Sequence, residues 1–77
     1  MNAIRLLKRV TCDPKVMIGK PVIKGTRMPI DLIVEKLAVG ETIPQLLDDY
    51  PFLKEDDIRA ALLYSARSVS REEVYAI

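Results

Sequence analysis

Apolar residues recur with a helical period in the second half of the chain and not in the first. Ile30, Ile33, Val34 and Leu37 stand at i, i+3, i+4 and i+7, the stripe of a helix buried along one face. Pro29 suits the start of that helix, because its missing N–H would be unpaired there anyway. Asp31 favours the positive end of the helix dipole, and Gly40 predicts a left-handed cap. Ile43, Leu46, Leu47 and Tyr50 repeat the spacing in a second helix, opened by a capping box of Thr42 with Gln45 and stopped by Pro51. A third helix opens on Glu55, Asp56 and Asp57 and turns Ile58, Ala61, Leu62 and Ser65 inward. Its Leu63, Tyr64 and Ala66 fall on a flank that a second neighbour would cover. Ser70 with Glu73 predicts another capping box and a short tail helix through Val74 and Tyr75.

Before Pro29 the apolar runs are short. Ile4 to Val10 is β-compatible, Asp13-Pro14 signals a turn, and Val16-Met17-Ile18 and Pro21-Val22-Ile23 are each closed by a glycine-containing turn. Gly19, Pro21, Gly25 and Pro29 exclude a continuous helix. The expected organisation is one domain over residues 1–77. Residues 1–28 form a basic β or extended arm, 29–67 a three-helix helix-turn-helix unit with Pro51–Lys54 between its last two helices, and 68–77 a tail helix. The fold class is mainly α with a short N-terminal β element.

Charge sharpens this division. The net charge of +1 hides an asymmetry: residues 1–28 hold seven basic residues against Asp13 alone, a net +6, and residues 29–77 hold five against ten, a net −5. A basic arm on an acidic body suits two different partners, or head-to-tail contact between copies.

Candidate chemistry is sparse. The single Cys12 allows no internal disulfide and, with no export signal, fits a reducing cytoplasm. No histidine is present, so a finger-type zinc site and a Cys–His nucleophile are excluded, and no metal or cofactor is expected. The carboxylates Asp48, Asp49, Glu55, Asp56 and Asp57 sit at helix ends, where acids cap or are solvated. Gly19-Lys20-Pro21 and Gly25-Thr26 lack the Walker spacing of a phosphate loop, and charges interrupt the N-terminal stretch too often for a membrane segment. An enzyme is therefore not expected.

Two binding roles remain. In the first, Lys20, Lys24 and Arg27 track a nucleic-acid backbone, Thr26 donates to phosphate, and Arg59 adds a cation on the third helix, whose acidic start phosphates would repel. In the second, the apolar surplus of the C-terminal part docks a protein. Tyr64, Arg67, Val74 and Tyr75 are the partner-facing candidates, and a homodimer is the alternative use of the same surface. An interaction or oligomerisation module that binds no DNA, its basic arm packed on the acidic face of another copy, is the competing reading.

One stretch resembles a known family. Gly19-Lys20-Pro21-Val22-Ile23-Lys24-Gly25-Thr26-Arg27, preceded by Asp13-Pro14 and followed by Tyr50-Pro51-Phe52-Leu53 and Glu55-Asp56-Asp57-Ile58-Arg59-Ala60-Ala61-Leu62, is similar to the small bacterial proteins grouped as domain of unknown function 433. The resemblance spans residues 9–67 and implies a homeodomain-like or winged-helix-like fold. It also implies a VapB-type antitoxin role: binding operator DNA and masking a PIN-like ribonuclease toxin. Ile18 stands where members often carry a first glycine of a Gly-Gly pair, and Lys54 stands where a Ser or Thr cap is common.

Overall fold

The computed structural model describes residues 2–71. In chain order its elements are α1 (Ala3–Leu7), β1 (Val10–Thr11), β2 (Val22–Ile23), α2 (Ile30–Ala38), α3 (Ile43–Asp49) and α4 (Glu55–Arg71). The strands pair antiparallel, Val10 opposite Ile23 and Thr11 opposite Val22. The fold is thus mainly helical with a short N-terminal β element. Helix α4 is its axis: α2 packs along it, α1 packs along it as well, and α3 and β1 also touch it. No helix among the described residues is long and apolar enough to cross a membrane.

The core collects apolar positions of β2 and of the helices α2, α3 and α4. Ile30 and Ile33 of α2, Leu46 of α3, and Ile58 and Ala61 of α4 meet Ile23 of β2 and Met28 and Leu53 from the connecting segments. Each large aliphatic side chain removed from water contributes about 1.5–3 kcal/mol. The helix ends are closed as the residue types require. In the capping box, the Thr42 hydroxyl accepts from Gln45 N–H at 3.2 Å and the Gln45 side chain accepts from Thr42 N–H at 2.8 Å. At the end of α2, Gly40 has φ +103°. Its N–H reaches the Leu37 carbonyl at 3.1 Å, while Glu41 N–H reaches Lys36 at 3.0 Å. These two bonds form the Schellman closure, and a left-handed residue at that position favours glycine.

Four expectations are corrected. Residues 4–10 are not a strand: Ala3–Leu7 is helical, because the Asn2 side chain caps Ile4 N–H at 2.8 Å and Ala, Leu and Arg are good helix formers. Only Val10 of that run joins the sheet. Val16-Met17-Ile18 is not a strand either. Met17, Ile18 and Gly19 form a left-handed turn with φ of 50°, 57° and 79°. On α4, Leu62 points outward at 42% exposure, whereas Ala60 and Ala61 are fully buried; with α1 and α2 both packed on the helix, small residues occupy its covered sides. Ser70 opens no separate tail helix, because α4 continues to Arg71 and the Ser70 hydroxyl donates to the Arg67 carbonyl at 3.1 Å. Glu73, Val74 and Tyr75 lie outside the described residues.

The start of α4 departs most from expectation. Lys54 offers no capping side chain, so Asp57, three residues on, accepts the Lys54 N–H at 2.8 Å through Oδ2. This is one half of a capping box. That carboxylate is buried at 6% exposure rather than solvated. Its second oxygen receives Arg9 Nη1 at 3.0 Å, and Arg9 Nη2 stands 3.6 Å from Asp56. A buried carboxylate is tolerated only when paired and hydrogen-bonded, and both conditions are met. Asp57→Ala is expected to lower stability by about 1–3 kcal/mol, seen as a lower urea midpoint at unchanged m, with Asp57→Asn intermediate because an acceptor for Lys54 N–H survives. An unchanged midpoint in Asp57→Ala would show that the carboxylate contributes nothing to stability.

Candidate nucleic-acid interface

The stretch Ile23–Met28 folds into a tight turn held from within. The Ile23 carbonyl accepts Thr26 N–H at 3.0 Å, and Ile23 N–H reaches the Met28 carbonyl at 3.0 Å. Gly25, the third residue of the four, has φ +81°, which a type II turn demands at that place and which a side chain would strain. The Thr26 hydroxyl completes the turn by donating to the Ile23 carbonyl at 2.7 Å and accepting Met28 N–H at 3.0 Å. With its ends buried at Val22, Ile23 and Met28, the turn projects Lys24 and Arg27 into solvent.

The N-terminal segment closes on the same side. Lys24 N–H donates to the Arg9 carbonyl at 2.7 Å, so the turn and the end of α1 are tied together. Between them lies a cleft of about 550 Å³ lined by Arg5, Lys8, Arg9 and Lys24 and also by Asp56 and Asp57. A second cleft of about 480 Å³ runs from Lys24 past Thr26 and Arg27 to Val16 and Asp13. Lys24 lines both, so the two clefts adjoin at that side chain and together make a basic track.

Ion pairing decides which charges on this face are available. Arg9 is committed to Asp56 and Asp57. Arg5, Lys8, Lys24 and Arg27 form no ion pair among the described residues. Each acidic side chain opening α4 is met by a cation: Glu55 by Arg59 at 2.9 Å, and Asp56 and Asp57 by Arg9. The expected repulsion of phosphate by this helix start is therefore reduced.

The structure distributes the expected site residues unevenly. Lys24, Thr26 and Arg27 stand together, but the Thr26 hydroxyl proton is used inside the turn, which corrects its expected donation to phosphate. Lys20 is paired with Asp31 at 3.3 Å, both side chains well exposed. Arg59 is held by Glu55, and that hydrogen bond raises its pKa above the ordinary value, so it is a compensated charge. Tyr64 packs partly buried against the core with its hydroxyl 3.8 Å from the Cys12 sulfur, so it is less available to a partner than expected. Arg67 is exposed, and Val74 and Tyr75 lie outside the described residues. Arg5 and Lys8 were not foreseen as part of the site. They stand three apart, a spacing that shares one helix face, but a five-residue helix gives too short a period to display it.

A family model described as "Protein of unknown function (DUF433)" matches residues 10–65. The chain belongs to the DUF433 family. A DUF433 member protein from Anabaena variabilis has a crystal structure that superimposes with a TM-score of 0.76 at 27% identity, covering 91% of this chain and 70% of that one. An uncharacterized protein of Sinorhizobium fredii, y4eO, is 34% identical over 56 residues, which cover 73% of this chain and 25% of that protein. An uncharacterized protein of Archaeoglobus fulgidus is 64% identical over 25 residues, covering 32% of this chain and 69% of that protein. The DUF433 chain thus spans a quarter of the length of its Sinorhizobium relative. The region matched by the family model holds the second cleft entire, whereas Arg5 of α1 and Lys8 at its end precede it.

The part the Thr26 hydroxyl plays in the turn is tested by mutation. Thr26→Val, which removes both side-chain bonds, is expected to cost about 1–3 kcal/mol of stability, and Thr26→Ser to stay near wild type, by urea unfolding. Equal stability in all three proteins would release the hydroxyl from the turn.

Proposed function

We propose that this protein is a non-catalytic, cytoplasmic, antitoxin-like DNA-binding regulator that acts as a homodimer, binds operator DNA and engages a PIN-like ribonuclease toxin. The observation that carries the DNA role is the pair of adjoining clefts whose lining cations Arg5, Lys8, Lys24 and Arg27 are exposed without ion pairs among the described residues. Uncommitted cations in a groove attract phosphate and release its counterions, and they cost no internal pair when they do so. Phosphate contacts from this track would set the register of the protein on the duplex, and α4 would be carried by it rather than lead it.

The toxin would meet the far half of α4. Val69 is exposed there, and Arg67, exposed on another face of the helix, offers a cation to the acidic catalytic site of a PIN-like nuclease. One observation favours the competing reading of a protein-interaction module without DNA. A groove of about 490 Å³ beside the same turn is lined by Met28, Pro29, Leu32, Tyr50 and Phe52, and Phe52 is 55% exposed. Apolar surface of this kind suits a protein partner.

Titration of fluorescent duplex from the region upstream of the gene, at two salt concentrations, separates the readings. Wild type is expected to bind with a steep salt dependence. In Lys24→Ala/Arg27→Ala the slope of log K against log salt is expected to fall by about 2, one unit for each phosphate no longer neutralised. Absence of binding at low salt, with or without a toxin partner, would leave only the interaction module.

A further inference from the structure

Ile18 is 97% exposed and sits at φ 57°, ψ 38°. Both features run against its chemistry. A β-branched residue in the left-handed region is a steric outlier. Such strain persists only where the surroundings impose it. An apolar side chain this exposed also contributes nothing to the core, and Asn or Asp would satisfy both backbone and solvent better. Met17 before it is strained in the same sense at φ 50° and is also exposed.

The surroundings do impose the conformation. The Asp13 side chain accepts Lys15 N–H at 2.9 Å, and its carbonyl accepts Val16 N–H at 2.9 Å. Gly19 N–H then reaches Val16 and Lys20 N–H reaches Met17, at 3.1 and 3.2 Å. Pro14 and Pro21 bracket the whole. The result is a rigid knuckle with two apolar side chains at its tip. Lys15 and Lys20 flank it, and Val16 at its base lines the cleft that holds Lys24 and Arg27.

We propose that Met17 and Ile18 form a wedge that enters between adjacent base pairs of duplex DNA gripped by the basic track, unstacking one step and bending the helix. This rests on the DNA-binding reading and specifies its mode. Proteins that kink DNA from the minor groove insert apolar side chains such as Ile and Met while cations hold the phosphates on either side. A rigid knuckle suits that task because it does not fold back when it meets the stacked bases. Pyrimidine–purine steps, which unstack most easily, are the expected sites.

The test uses duplexes tiling the region upstream of the gene, with 2-aminopurine placed at successive steps and a donor–acceptor dye pair at the ends. Wild type is expected to raise 2-aminopurine fluorescence several-fold at one or two adjacent steps and to shorten the end-to-end distance. Ile18→Asn relieves the backbone strain, so it is expected to fold at least as stably, to keep the wild-type salt slope, and to lose both signals. Binding without unstacking, or unstacking that Ile18→Asn retains, overturns the wedge and leaves the DNA role standing. Loss of toxin capture in Ile18→Asn with DNA distortion intact assigns the knuckle to protein docking instead. Failure of every duplex to bind wild type removes the DNA role and the wedge together.

Discussion

The Asp57 carboxylate is nearly removed from water, and much of the molecule is arranged around meeting its charge. One oxygen closes the start of α4, replacing the side-chain cap that Lys54 cannot supply. The other binds Arg9, which immediately precedes β1. A single side chain thus sets where the longest helix begins and where the N-terminal segment docks. The Arg9 carbonyl then anchors the 23–28 turn through Lys24 N–H. The positions of Lys24 and Arg27 on one side, and of Arg5 and Lys8 on the other, follow from that chain of interactions.

What was legible in the sequence followed the range of the interactions responsible. Helices α2 and α3 could be read with their ends, because their stripes, the Thr42–Gln45 box and the Gly40 closure are all local. The pairing of β1 with β2 was legible only as a β element, since its register depends on a loop of ten residues between them. The burial of Asp57 was not legible, because its partner lies 48 residues away and an acid at a helix start has an adequate local explanation. The inward face of α4 was misassigned at Leu62 because alanines, which carry little hydrophobic signal, fill the sides that α1 and α2 cover.

For the candidate site, the charge asymmetry of the sequence marked the basic segment but not which of its charges stay unpaired. Of the five residues expected on DNA, Lys24 and Arg27 lie on the track without an ion pair among the described residues, while Lys20, Thr26 and Arg59 have an internal partner each. Composition counts charges, whereas binding depends on which of them remain unpaired, and that distinction arises only after folding. The left-handed turn at Met17–Gly19 escaped for a related reason: Gly19 alone suggests it, and the neighbours argue against it.

Helix α1 contains no buried residue. Its attachment therefore rests on partly covered side chains, on Arg9 and on a few backbone bonds, and its free energy of local opening lies below that of the core helices. Arg5 on this weakly held unit and Lys8 at its end share that freedom, so amide exchange in α1 is expected to be faster than in α4. An anion bound across the cleft would slow it, making occupancy of a surface site visible as protection of backbone far from any base.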